Sequence, residues 1–373
     1  MKTADKLEVY CDGRKVGTMA PYRRYQTAFE YSPEWLRDGF SISPFSLPLQ
    51  AGVKIAKVDP FDGLFGVFAD SLPDGWGRLL VDRMLRRVGE RPEAVDALTR
   101  LSIVGASGMG ALEYQPVFSL HTDARTDDWD TLAEECRKLL QSNESDDLDT
   151  LFALGGSSGG ARPKVMIRQD GEDWIVKFPS SVDPDNIGLM EYDYTQCARL
   201  CGITVPETRL FPSRRCAGYF GTKRFDRAGG QKLHMASASA LLEVSHRVPA
   251  LDYSSLMALT WQLTRQAGEL ERLFTLMCFN VFAHNRDDHS NNFTFLCENG
   301  TWRLSPAYDL TYSNSLGGEH ATTVAGEGKS PAMKDILAVA KKAGLRESAA
   351  RAIAERVRET VNERLDSYLR HSS

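Results

Sequence analysis

Short alternating stretches open the chain. "KLEVYCDGRKVGTMAPY" alternates apolar and polar positions around Asp12-Gly13, a turn signal, and predicts a β-hairpin. "TAFEYSPEWL" and "SISPFSLPL" predict further short strands. At "LPDGWGRLLVDRMLRRVG" the period changes. Leu79, Leu80, Met84 and Leu85 recur at helical spacing, and Gly89 closes the helix. "RPEAVDALTRLSIVG" predicts a second short helix, followed by a Gly-rich turn and a strand, "GALEY".

Residues 121–150 are polar and acidic and predict an amphipathic helix plus a connector, with the main boundary there. Alternation returns in "ARPKVMIRQDGEDWIVKFPS", two strands around Asp170-Gly171. "IGLMEYDYTQCARLCGI" carries an apolar helical stripe ending near Gly202, and "TRLFPSRRCAGYFGTKRFDR" predicts two more strands. From about residue 254 the pattern is mainly helical. One hairpin interrupts it, "NNFTFLCENGTWRLSPAYDL", with Asn299-Gly300 at the turn. The expected units are 1–120, 121–253 and 254–373.

Composition narrows the class. The chain has 373 residues, 42% hydrophobic and 25% charged, the values of an ordinary soluble protein. A net charge of −5 argues against nucleic-acid binding driven by charge alone and leaves room for a local basic patch. No apolar run reaches the roughly 18 residues of a membrane span. The start, "MKTADKLEVY", has no apolar signal region. The seven cysteines form no C-x-x-C pair, and they read as reduced thiols in a cytoplasm.

Candidate chemistry concentrates in "HNRDDHSNNF", directly after the apolar run "LFTLMCFNVFA". Phosphoryl transfer needs a base for the attacking hydroxyl, metal ligands, a cation on the phosphates and a backbone cradle. A D-x-x-x-x-N loop supplies the base and one Mg²⁺ ligand, and Asp287 and Asn292 have that spacing; Asp288 does not. The hairpin after Asn292 leads to Asp309, a hard oxygen donor suited to Mg²⁺. His289 either braces the loop or only packs. Upstream, "IVKFP" puts Lys177 at the end of an apolar strand, a candidate phosphate cation that also reads as an edge-strand lysine. "LGGSSGGARPK" offers backbone N–H groups and the hydroxyls of Ser157 and Ser158 to ATP phosphates, without P-loop spacing; it also reads as a linker. Glu191, opening a helix about fourteen residues after Lys177, reads as the partner of that lysine or as an acid favoured by the helix dipole. A transition-metal site from His284, Asp287, Asp288 and His289 is the rival reading. Its H-x-x-D-D-H spacing does not put both histidines on one helical face.

These segments, in this order, resemble the HipA family of bacterial serine/threonine kinase toxins. "FGVFADSLPDGWGRLLVDRML", "GMGALEY", "GGSSGGARPK", "WIVKFPS", "TKRFDR", "RDDHSNNF" and "LSPAYDL" carry the likeness over most of the chain. Arg286 and Asn291 depart from the family's usual Thr and Lys. "KLHMASASALLEV" stands where several members have a Gln-Glu-Asp run.

The resemblance implies an α+β, two-lobed protein-kinase-like fold: a small β-rich N-terminal subdomain (1–120), a kinase-like N-lobe (121–253) and an all-helical C-terminal lobe (254–373). It implies Asp287 as catalytic base, Asn292 and Asp309 as Mg²⁺ ligands, and Lys177 on the ATP phosphates. Ser157, Ser158, Gly159, Gly160 and Lys164 would form the phosphate loop, with Glu191 and His289 supporting the ATP site. Ser157 or Ser158 would be autophosphorylated, with Ser157 favoured by register. The implied target is an aminoacyl-tRNA synthetase, with translation arrest as the consequence. The implied partner is a helix-turn-helix antitoxin, through which DNA is mainly reached. The competing expectations are a degenerate kinase fold serving as a co-repressor module and a small-molecule phosphotransferase.

Overall fold

The computed structural model describes residues 5–23, 25–118, 128–142, 148–314 and 317–370, a mixed α/β chain. β1 (Leu7–Cys11) and β2 (Arg14–Arg23) form the expected hairpin. Asp12 and Gly13 turn it with φ of 50° and 72°, a region Asp and Gly tolerate. β3 (Gln26–Tyr31) and β4 (Lys54–Ile55) extend this sheet on one side, and β5 (Leu112–Gln115) on the other, in the order β4-β3-β2-β1-β5.

Two strand expectations fail here. "SPEWL" is helical: Ser32 caps α1 (Pro33–Asp38) by accepting the Trp35 N–H at 3.1 Å, and Pro33 opens it. Those start signals outweigh the local alternation. "SISPFSLPL" holds only an isolated bridge between Ser43 and Leu47, because its prolines lack N–H groups for a ladder.

α2 (Gly66–Ala69), α3 (Gly75–Arg87) and α4 (Ala97–Val104) lie between β4 and β5. Asp74 and Asp96 cap the two longer helices. α5 (Trp129–Ser142) and α6 (Leu148–Gly155) occupy the acidic stretch; the rest of it, 121–127 and 143–147, lies outside the described residues.

The second sheet is antiparallel, in the order β6-β7-β9-β8. Its strands are β6 (Lys164–Gln169), β7 (Glu172–Lys177), β8 (Thr208–Phe211) and β9 (Tyr219–Lys223). α7 (Ile187–Leu200) comes between β7 and β8. Trp174, Val176, Phe211 and Tyr219 pack with Trp76 and Leu80 of α3, Leu132, Cys136 and Leu139 of α5, and Leu151 of α6. A helix from the first hundred residues therefore closes the core of a sheet that begins at residue 164.

β10 (Arg227–Ala228) and β11 (Gln231–Lys232) form a small hairpin. β12 (His234–Ser237) runs into α8 (Ala238–Leu242), and β13 (Leu251–Asp252) into α9 (Tyr253–Thr264) and then α10 (Ala267–Phe282). β14 (Thr294–Glu298) and β15 (Thr301–Leu304) make the predicted hairpin at Asn299-Gly300, and β14 also pairs with β12. β16 (Thr322–Thr323) runs parallel to β13, and α11 (Met333–Lys342) and α12 (Glu347–Arg370) follow. The all-helical C-terminal lobe is thus corrected. Phe295, Leu296, Cys297, Trp302 and Leu304 are all buried, and the Asn-Gly turn holds them in paired strands.

The larger core joins the first sheet to these helices, to Tyr194, Cys197 and Ala198 of α7 and to Cys201 just after it. The seven cysteines are free thiols. Among the described residues no helix is long and apolar enough to cross a membrane.

"TKRFDR" locks the first sheet to the second. Asp226, fully buried, accepts from Arg224 (2.9 and 2.7 Å), from Arg227 (2.7 Å) and from the Gly110 N–H (2.7 Å). Both arginines also donate to the Gly108 carbonyl at 3.1 Å. Burial alone would raise the Asp226 carboxyl; the guanidinium groups and the Gly110 amide hold it below its ordinary value. Asp226→Ala leaves two guanidinium groups buried without their counter-charge. The expected loss is about 3–5 kcal/mol of stability in chemical denaturation.

Candidate functional site

The site assembles around one ammonium group. Along β7, Trp174 and Val176 point into the smaller core, so the period of two puts Lys177 on the opposite face. There Lys177 Nζ donates to Glu191 Oε1 and to Asp309 Oδ1, and lies 5.6 Å from the Phe220 ring centroid. Glu191 lies in the second turn of α7, on its buried stripe with Ile187, Gly188, Tyr194 and Ala198. It does not open the helix as expected, so the helix dipole is not its support. Its other oxygen lies 3.9 Å from Arg162, whose guanidinium is bidentate to Asp183 at 3.1 and 3.2 Å.

Each charge is set by the others. Desolvation would lower the Lys177 ammonium; Asp309 and Glu191 overcome it and hold it above its usual value. Burial raises the Glu191 carboxyl. Burial would raise Asp309 too, but the charges of Lys177 and Lys164 hold it well below the carboxylate range. Asp309 also has φ of +54°, a left-handed conformation that Asp adopts more readily than most residues.

Lys164 stands directly opposite Lys177 across the β6–β7 ladder. Its Nζ turns to the Gly159 carbonyl at 2.5 Å, and desolvation pushes it down to about 8. That contact ties strand β6 to the Gly/Ser stretch. Gly155 belongs to α6, so the loop proper starts at Gly156. The Gly160 carbonyl accepts the Trp76 N–H at 2.9 Å, and Trp76 Nε1 donates to the Lys164 carbonyl at 3.0 Å. A Cβ on Gly77 would lie 2.1 Å from the Ser158 carbonyl oxygen, so only glycine admits this approach. Ser158 is buried and donates to the Gly155 carbonyl at 2.6 Å; Ser157, more open, donates to the Ser107 carbonyl at 2.9 Å.

The loop after α10 presents Asp287 outward, with its side chain 64% exposed. Loss of hydration raises its carboxyl above the ordinary value, opposed by the neighbouring His289 and reinforced by Asp309 and Asp288. His289 Nε2 lies 3.9 Å from Asp287 Oδ1. Asn292 Nδ2 donates to the Asp287 carbonyl at 2.7 Å, closing the loop on itself.

Asp288 has the opposite fate. It is buried and accepts from Tyr253 (2.8 Å) and the Thr322 N–H (3.2 Å), with His320 Nδ1 at 2.9 Å. Asn280 joins Tyr253 to Asn285 at 2.9 Å on each side. Adjacent aspartates are thus divided between an anchor and an open carboxylate. The transition-metal reading is corrected on that ground: among the described residues no three His, Cys, Asp or Glu form a group that could hold a metal. Arg162, Asp183, Tyr253, Asn280 and His320 were not visible as site residues in sequence, because each contributes through contacts distant along the chain.

No curated protein matches the chain. Residues 7–115 match the family described as the HipA N-terminal domain, and residues 156–365 the HipA-like C-terminal domain. The chain belongs to the HipA family. A chain of the Shewanella oneidensis MR-1 toxin–antitoxin complex of HipA, HipB and operator DNA is similar over 97% of this chain and 90% of that one, with a TM-score of 0.72 at 16% identity. That likeness establishes the same fold. The Helicobacter pylori proinflammatory kinase CtkA is similar over 54% of this chain and 89% of that one, with a TM-score of 0.38 at 13% identity.

Lys177→Met would leave Glu191 and Asp309 facing each other without the ammonium they share. Chemical denaturation is expected to show a loss of about 3 kcal/mol, the low end for a broken buried pair, since Asp309 is partly open.

Proposed function

We propose that this HipA-family chain is an ATP- and Mg²⁺-dependent protein serine/threonine kinase of the toxin type. The observation that carries the reading is the meeting of Lys177, Glu191 and Asp309, from a strand, a helix and a loop, with the Asp287–Asn292 loop tied alongside through the Tyr308 hydroxyl, which donates to the Asn291 carbonyl. The three units are then a β-rich N-terminal subdomain, an N-lobe and a C-lobe of a kinase-like architecture, with the boundaries read from sequence.

Bound Mg-ATP supplies the phosphoryl group. The donors fit Mg²⁺: a carboxylate at Asp309 and an amide oxygen at Asn292 are hard ligands, and Mg²⁺ commonly takes few from protein and the rest from phosphate and water. The amide nitrogen of Asn292 is already committed to Asp287, which leaves its oxygen for the cation. Lys177 holds phosphate oxygens, oriented by Glu191. Asp287, open and with its carboxyl raised, accepts the proton of the attacking hydroxyl.

Ser157 is the favoured site of autophosphorylation. It is more open than Ser158, and a phosphate there would add roughly two negative charges and displace its bond to Ser107. We assign a protein substrate, with an aminoacyl-tRNA synthetase as the first candidate. A helix-turn-helix antitoxin would be the partner that brings the chain to DNA, by analogy with the HipA–HipB–operator complex. The setting is cytoplasmic.

Two measurements test the reading. Incubation with Mg-ATP is expected to add roughly 80 Da to the wild type, mapped to Ser157, and nothing to Asp287→Asn. Asp287→Asn keeps its thermal unfolding temperature, because the two side chains share a shape. Turnover retained in that folded variant removes Asp287 as the base. Asp309→Asn is expected to raise the Mg²⁺ concentration needed for half-maximal transfer, read from a metal titration; an unchanged requirement removes that ligand.

A further inference from the structure

The segment Ser237–Arg247 joins the first hundred residues to the Asp287 loop at named points on both sides. Towards the first hundred residues there are three ties. Asp70 accepts the Ser237 N–H (2.6 Å) and hydroxyl (2.8 Å). Glu243 accepts the Gly66 N–H at 3.0 Å. His246 Nε2 lies 3.2 Å from Asp74 Oδ2, with Arg247 3.6 Å from the other oxygen. Towards the Asp287 loop there are two. The Ala238 N–H donates to the Phe293 carbonyl at 2.7 Å, and the His246 ring packs on the His289 ring with centroids 5.6 Å apart. The buried Nδ1 of His289 has no hydrogen-bond partner among the described residues.

Asp74 has a second role that gives this strap its meaning. It caps α3 through the Gly75 N–H at 2.8 Å. The next residues, Gly75 to Gly77, are those on which the Gly/Ser loop rests. One short piece of chain therefore touches the seated phosphate loop with its backbone and the strap with its side chain.

We infer that His246, held by Asp74, is a positioning residue for Asp287 acting through His289, and that this contact couples seating of the Gly/Ser loop to order in the catalytic loop. The inference rests on the kinase reading for its effect on turnover, and on geometry alone for its effect on loop order. Were the Gly/Ser loop to leave this seat, the Trp76 N–H would lose the Gly160 carbonyl and the start of α3 would be freed. Asp74 then loosens, and with it the packing that holds His289 beside Asp287. A displaced phosphate loop would in this way disable the base as well as the nucleotide site.

The test compares wild type, His246→Ala and Asp74→Asn, full length. Asn is itself a good helix cap, so Asp74→Asn keeps α3 while discharging the tie to His246. Two readouts are taken. In phosphoryl transfer, both variants are expected to lose about tenfold in kcat with KM for ATP within about twofold, since a misplaced base impairs chemistry and not nucleotide binding. A kcat unchanged in the variants, or a loss carried by KM, overturns the inference. In hydrogen exchange without nucleotide, amides 284–293 are expected to exchange several-fold faster in both variants than in the wild type. Unchanged exchange there overturns the coupling. If the wild type transfers no phosphate at all, the kinase reading fails and the exchange result still decides whether the strap orders the loop.

Discussion

The site depends on a single buried ammonium shared between two carboxylates. Without Lys177, Glu191 and Asp309 would be two acids brought together from a helix and a loop, each raising the cost of ionising the other. With it, β7, α7 and the segment after β15 are held in one register by charge. The paired-strand geometry adds a second lysine directly opposite, and the structure resolves that conflict by sending Lys164 to a backbone carbonyl of the Gly/Ser loop. The same electrostatic constraint therefore orders the carboxylates on one side and the loop on the other.

The Asp287 loop is built on a different principle. Its neighbour Asp288 is sunk into a hydrogen-bonded network with Tyr253 and His320, and that network extends through Asn280 to Asn285. A satisfied polar network of this kind rigidifies what it touches. One aspartate anchors so that the next can stand open in a defined place. Around this pair residues 1–120 act as a frame: α3 completes the core beneath the second sheet, Asp226 ties "TKRFDR" to Gly108–Gly110, and the strap from Ser237 to Arg247 spans from α2 and α3 to the loop.

Much of this order was legible locally. Asp-Gly and Asn-Gly turns located three of the hairpins, helical spacing located α3 and α7, and the D-x-x-x-x-N interval singled out Asp287 and Asn292 as candidates. Errors fell where one local signal opposed another. Ser32-Pro33 turned an alternating stretch into a helix, and the prolines of "SISPFSLPL" denied it a ladder. The implied all-helical C-terminal lobe failed against the β14–β15 hairpin that the Asn299-Gly300 turn signals, to whose edge β12 adds a strand from nearly sixty residues earlier.

The sequence by itself determined most of the element types, the family and the short list of charged residues, because period, turn chemistry and motif spacing are properties of neighbours along a chain. Only the tertiary structure decided which of those residues meet. The contact between Lys177 and Asp309 spans 132 positions, and no local pattern encodes a pairing of that length. The division of Asp287 from Asp288 is likewise tertiary: adjacent and chemically identical, they differ only in what the fold packs around each.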